Sequence, residues 1–176
     1  LGSGNGEMMK VIYQTLKNFP EYFDSCNFMI HEKSQYLINQ QKVNLKSEKI
    51  TWIKNVKKDY SGPTIFLANE FFDALPIKQF FKIDEEWFER FVNLTIPKKA
   101  KFNNVKTNIK SIEEKLNFEI SRDQNIIEYS PDAFEYLKII GNIIQKNKGG
   151  LMIIDYGYLN SKMQNTLQAV NNHKYS

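Results

Sequence analysis

At 176 residues, with 41% hydrophobic and 14% aromatic content, the chain is apolar enough to bury one domain's core, which excludes an intrinsically disordered segment. Its net charge of +4 comes from scattered lysines, weak evidence for nucleic acid, and the one tight cluster, Lys98, Lys99 and Lys101, reads as solvated surface, so no nucleic-acid partner is expected. The single Cys26 excludes an internal disulfide and points to a reducing compartment, and no apolar run approaches the ~18 residues of a membrane helix, so a soluble protein with no membrane partner is expected.

The chain opens on glycines at alternate positions, Gly2, Gly4 and Gly6, followed from Glu7 to Leu16 by apolar residues at helical spacing. This is a glycine loop opening a helix. A dinucleotide fingerprint would need its third glycine at position 7, where Glu7 stands. A carboxylate in that first turn would repel a pyrophosphate, so the loop suits S-adenosylmethionine better than NAD. Pro20 interrupts the helical pattern, and Asn27 to Ile30 reads as a short strand ending in His31 and Glu32. Glu32 arrives where a ribose-binding carboxylate is expected, a little past the usual ~20 residues, with a helix-capping acid as the alternative. His31 has no partners at metal-ligand spacing and reads as an ordinary polar residue, and no metal site is expected. Ser34 to Leu45 reads as a helix and Lys49 to Ile53 as a strand, with Trp52 a core residue more readily than an adenine platform.

Thr64 to Ala68 is an apolar run suited to an inner strand of a parallel sheet, buried on both faces. Polar chemistry begins where it ends. Asn69, Glu70 and Asp73 fall just past its carboxyl end, where open α/β sheets place ligand crevices; capping of the next turn by Asn69 and Asp73 is the alternative. Ile77 to Ile83, a turn at Asp84 to Glu86, and Trp87 to Val92 form a hairpin, and Pro97 to Asn108 reads as a polar loop before a short helix from Ser111 to Leu116. Lys78 to about Phe118 is expected as an insertion in a domain spanning 1–176. Parallel order then resumes with Asn125 to Pro131, a helix runs from Pro131 to Ile144 and ends at Gly149-Gly150, and Leu151 to Ile154 forms a buried strand. That strand finishes in Asp155, a site acid or a capping acid, and the tail to Ser176 shows no closing element.

Taken together, Gly2 to Gly6, Glu32, Ala68-Asn69-Glu70-Phe71-Phe72-Asp73-Ala74-Leu75-Pro76, Trp87-Phe88-Glu89-Arg90, Glu128-Tyr129-Ser130-Pro131, Asp155-Tyr156-Gly157-Tyr158 and Thr166 to Val170 resemble the MidA-type methyltransferases. This class I S-adenosylmethionine-dependent group includes the mitochondrial assembly factor for respiratory complex I. The resemblance implies an α/β, Rossmann-like methyltransferase sheet with a hairpin-containing insertion. It implies S-adenosyl-L-methionine as cofactor and protein arginine methylation, of a complex I subunit in the mitochondrial member, in the mitochondrial matrix of a eukaryote or the cytoplasm of a bacterium. Carried over, Gly2, Gly4, Gly6 and Glu32 bind the cofactor, Glu70, Asp73 and Asn69 are catalytic, and Asp155 and Glu128 bind substrate. A catalytically inactive remnant or assembly-binding module of the same fold is the alternative. A nucleic-acid methyltransferase ranks last, because Glu70 would disfavour a phosphate backbone.

Members of that family are longer than this sequence, and the pattern implies a first strand before Leu1 and further strands after Val170. Strands at Phe28 and Ile65 would flank the first strand's place. The 176 residues alone are therefore expected to bind cofactor poorly, and a complementing chain or a homo-oligomer is the partner such a gap would take.

Overall fold

The computed structural model describes residues 1–47, 49–56, 60–95, 99–167, 170–171 and 174–175, so Lys98 of the basic cluster and Gln168 and Ala169 of the tail motif lie outside the described residues. In chain order the elements are α1 (Glu7–Leu16), α2 (Pro20–Ser25), β1 (Phe28–His31), α3 (Gln35–Leu45), β2 (Ile50–Ile53), β3 (Thr64–Asn69), β4 (Lys78–Ile83), β5 (Glu86–Thr95), β6 (Lys99–Lys106), α4 (Lys110–Leu116), β7 (Ile126–Tyr129), α5 (Pro131–Asn147), β8 (Gly149–Ile154), β9 (Val170–Asn171) and β10 (Lys174–Tyr175). They fall into two compact units, one of Leu1–Leu75 with Asp132–Gly157, the other of Pro76–Pro131 with Tyr158–Ser176.

In the first unit β1 pairs in parallel with β2, and β3 in parallel with β8; no ladder joins β1 to β3 among the described residues. Met9, Ile12, Tyr13 and Leu16 recur at helical spacing on α1 and pack on Phe28, Ile30 and Ile50, so one apolar stripe covers one sheet face. Ile140 and Ile143 of α5 cover Phe66 in the same way. Burial of β3 is one-sided, against expectation: Phe66 and Ala68 are buried while Ile65 is 77% exposed. β8 is likewise not a buried strand, since Met152, Ile153 and Ile154 are exposed. Thr64 N and Glu70 N donate toward the β8 side, to Lys148 O and Ile154 O, so the intervening Leu67 presents its carbonyl on the opposite edge, where the Leu1 nitrogen donates to it at 2.8 Å.

Gly149 and Gly150 do not end α5. Lys148 takes the left-handed conformation past the helix, and both glycines belong to β8. The reason is steric: a Cβ on Gly149 would lie 2.0 Å from Thr64 O. Pro20, read only as an interruption, also opens α2 at its first turn, where its absent N–H goes unmissed.

The second unit is a four-stranded antiparallel sheet in the order β6-β5-β4-β7. Its core is Phe80, Ile109, Ile120 and Ile127, with Trp87, Ile112 and Leu116 packed against it. Three expectations fail here. The segment read as a polar loop from Pro97 to Asn108 contains β6, which pairs with β5 from Phe88↔Lys106 to Thr95↔Lys99. β7 does not resume parallel order but runs antiparallel to β4. The tail contains the short antiparallel pair β9 and β10.

Candidate active site

The glycine loop is built from left-handed backbone, with φ of 64° at Gly2, 50° at Gly4 and 95° at Gly6, values that side chains with a Cβ rarely adopt. Gly6 N donates to Ser3 O at 2.7 Å and closes the turn that starts α1. A Cβ at Gly2 would lie 3.0 Å from Phe71 Cβ and 3.2 Å from Asn69 O, so the loop backbone rests directly on the end of β3. At Gly4 nothing lies within 4 Å of that position, leaving open room beside the loop.

On its other side the loop is tied to Glu32. Glu32 N extends the β1–β2 pairing by donating to Ile53 O at 3.1 Å. Its Oε1 accepts from Ser34 N at 2.8 Å and its Oε2 from Gln41 Nε2 at 3.3 Å; the same Gln41 nitrogen donates to Gly4 O at 2.7 Å. Gly2, Gly4, Glu32 and Asn69 are thus gathered at one end of the first unit's strands.

The acids follow from register. Asn69 of β3 pairs with Ile154 of β8, so the next residues, Glu70 and Asp155, leave neighbouring strands side by side. Glu70 has φ of 46°, a strained backbone for a residue with a side chain. Asp73 N donates to Asp155 Oδ2 at 3.2 Å, and Tyr156 N to Asp155 Oδ1 at 2.9 Å. The negative charge of Glu70 is the largest effect raising the pKa of the Tyr156 phenol, with Asp73 and Asp155 adding to it. The Asp73 carboxyl is also held above its ordinary range, first by partial removal from water and then by the charge of Asp155, with Glu70 contributing.

A carboxyl whose folded-state pKa is raised binds its proton more tightly folded than unfolded. The repulsion is therefore relieved as pH falls through the folded value and fully felt above it. We predict that Asp73, followed by carboxylate-carbon NMR, titrates above the ordinary aspartate value of about 3.9, and that Asp155→Asn moves it back down. An unmoved Asp73 in that variant would show that its neighbours' charges do not couple.

Three further residues at this end were not singled out by sequence. His31 is buried, not an ordinary surface polar group. Its Nδ1 donates to Ile53 O at 3.2 Å, because a carbonyl can only accept, so in the neutral ring Nε2 accepts from the Tyr136 hydroxyl at 2.8 Å. Burial is the largest effect holding its pKa below the ordinary value. Phe71 packs edge-on against both rings, at 6.0 Å from His31 and 5.0 Å from Tyr136, which anchors the chain beside Glu70. Gln41 and Tyr156 are the other two. A fully buried glutamine one turn after Ile38 on α3 has a visible signal in that i, i+3 spacing. Tyr156 has none beyond following Asp155.

Glu128 lies in the second unit. Its carboxylate accepts from Gln79 Nε2 at 2.6 Å, from Thr166 N at 3.0 Å and from the Thr166 hydroxyl, which ties the tail to β7. Among the described residues no cluster of His, Cys, Asp and Glu could hold a metal ion, and no helix is long and apolar enough to cross a membrane.

Comparison with known proteins places this arrangement among relatives. A family model described as "Putative S-adenosyl-L-methionine-dependent methyltransferase" matches residues 1–176. The protein arginine methyltransferase NDUFAF7 homolog, mitochondrial, of Caenorhabditis elegans is 28% identical over 196 residues, covering 99% of this chain and 46% of that protein. Human protein arginine methyltransferase NDUFAF7, mitochondrial, is 25% identical over 200 residues, covering 99% and 44%. A Burkholderia thailandensis protein solved bound to S-adenosyl-homocysteine superposes with a TM-score of 0.67 at 17% identity, over 89% of this chain and 41% of that one. The chain therefore spans under half the length of these relatives. The structural likeness gives the fold as the Rossmann-like, α/β one expected from sequence.

Proposed function

We propose that this chain, which belongs to the S-adenosyl-L-methionine-dependent methyltransferase family matched over residues 1–176, carries the cofactor pocket and acidic acceptor site of a protein arginine methyltransferase. The supporting observation is that one glycine loop touches both halves of the site: through Gly4 and Gln41 it reaches Glu32, and through Gly2 it rests on Asn69 and Phe71.

The residues present fit the cofactor. Gly4 borders open room, Glu32 keeps acceptor capacity for hydroxyl donors, and the acids at Glu70, Asp73 and Asp155 suit a cationic donor. In this reading Gly2, Gly4 and Gly6 border the methionine portion and Glu32 holds the ribose hydroxyls. When bound, S-adenosyl-L-methionine supplies an electrophilic methyl group on a sulfonium sulfur.

What the chain itself must do is align and deprotonate the acceptor. Guanidinium stays protonated at neutral pH and is then a poor nucleophile. Glu70, with Asp73 in support and Asn69 beside them, orients the group by charge-assisted hydrogen bonds and takes up its proton, while Asp155 binds the cation's far side. The raised pKa of Asp73 accords with this, since like charges held together are relieved by a bound cation. The names of the relatives, protein arginine methyltransferases of mitochondria, support a protein substrate; the proposal places it in the mitochondrial matrix if the source is eukaryotic and in the cytoplasm if it is bacterial.

The test is a labelled-methyl assay with the full-length polypeptide, offering heat-inactivated cell protein, DNA and RNA as acceptors. Label recovered as methylated arginine is the expected outcome; label in nucleic acid alone would overturn the assignment.

A further inference from the structure

We propose that Gln41 is the positioning residue that fixes the Glu32 carboxylate and the glycine loop in one geometry for a vicinal diol. The inference rests on the reading of Glu32 as the ribose-binding acid given above. Gln41 is fully buried, yet its amide bridges three separate segments from α3. Its Oε1 accepts from Trp52 Nε1 at 2.9 Å, and its Nε2 donates to Gly4 O at 2.7 Å and Glu32 Oε2 at 3.3 Å.

The orientation of the amide follows from chemistry alone. An indole N–H can only donate, so the oxygen of Gln41 must face Trp52. Both amide hydrogens then point to groups that can only accept, the Gly4 carbonyl and the Glu32 carboxylate. A flipped amide would set oxygen against oxygen on one side and N–H against N–H on the other. Trp52 of β2, half-buried against Phe28, Ile30 and Ile50, thereby determines which way the glutamine faces. The stem of Gln41 also supports the loop, since a Cβ at Gly6 would lie 3.4 Å from its Cγ.

The consequence for ligand recognition is a count of lone pairs. A carboxylate offers about four acceptor sites. Ser34 N takes one on Oε1 and Gln41 takes one on Oε2, which leaves one on each oxygen. Two hydroxyls on adjacent carbons match two remaining acceptors on one carboxylate. Removing the Gln41 amide frees the carboxylate to turn about its last torsion and releases the Gly4 end of the loop. The loss should fall on recognition of the diol in particular.

The experiment compares dissociation constants for S-adenosylhomocysteine and its 2′,3′-dideoxy analogue by calorimetry, in the full-length polypeptide and in Gln41→Leu, Trp52→Phe and Glu32→Gln. The unmodified protein should prefer the diol by at least about tenfold, as expected for hydrogen bonds to a charged acceptor. Glu32→Gln should remove most of that preference, and Gln41→Leu should reduce it toward unity, weakening the diol ligand more than the analogue, which loses only the loop support. Trp52→Phe keeps an aromatic ring against the core, so it carries the test if Gln41→Leu does not fold, and should weaken the preference in the same direction. A preference unchanged in Gln41→Leu, or in Trp52→Phe when the former is unfolded, overturns the positioning role while the Glu32 assignment stands. No preference in the unmodified protein overturns that assignment, and the inference with it.

Discussion

Glu70→Gln in the full-length polypeptide is expected to slow methyl transfer about 10²- to 10⁴-fold, the range for losing a positioned proton acceptor. S-adenosylhomocysteine affinity should change no more than about twofold, because its thioether is neutral and gains little from the lost charge. The substitution keeps side-chain size and the strained backbone at residue 70. What it removes is the charge. An arginine acceptor must shed a proton as its nitrogen attacks, and a neutral amide can neither draw the cation in nor take that proton. Single-turnover rates with labelled donor, measured beside calorimetric affinity, separate the two effects. Undiminished transfer would remove Glu70 from the chemistry; intact biological activity without any transfer would favour the assembly-module reading.

Gly149→Ala is expected to have the largest effect on stability, a loss of about 4 kcal/mol or more, at the upper end of what single substitutions do. The added methyl would lie 2.0 Å from Thr64 O and 2.7 Å from Thr64 C and N, and the residue has φ of 124°. The obstructing atoms are strand backbone and cannot swing aside, so the β3–β8 pairing must open at Thr64↔Gly149. Because that pairing brings Asn69 opposite Ile154, its disruption also separates Glu70 from Asp155. Gly150→Ala is the control: nothing lies within 4 Å of its Cβ position, and the change should stay within about 0.5 kcal/mol. Urea denaturation of both variants decides it. Equal effects would mean that the close approach at Thr64 relaxes at no cost.

What the sequence revealed and what it hid have the same physical origin. The glycine loop, α1, α3 and the ends of β1, β3 and β8 were legible because periodicity and abrupt switches from apolar to charged residues mark them locally. β6 was hidden because the residues of Lys99–Lys106 are exposed on both faces, so its identity lies in hydrogen bonds to β5 and not in any side-chain pattern. The direction of β7 was hidden because a short apolar strand carries no mark of its partner; Ile127 would be buried in a parallel or an antiparallel sheet. Gly149-Gly150 resembles a helix stop, and only the approach of Thr64 reveals it as strand. In the site, Glu32, Glu70 and Asp155 were visible as acids at strand ends. Gln41 showed only in its spacing from Ile38, which marks it as buried and not as the partner of Glu32, and Tyr156 carried no signal beyond following Asp155.

If the glycine loop, Glu32 and the acids past β3 border one pocket, a crystal structure of the full-length polypeptide with S-adenosylhomocysteine will show both ribose hydroxyls within about 2.6–3.2 Å of the Glu32 carboxylate oxygens and the thioether end toward Glu70. A nucleoside bound away from Glu32, or a thioether directed away from Glu70, would mean that these residues do not share a site.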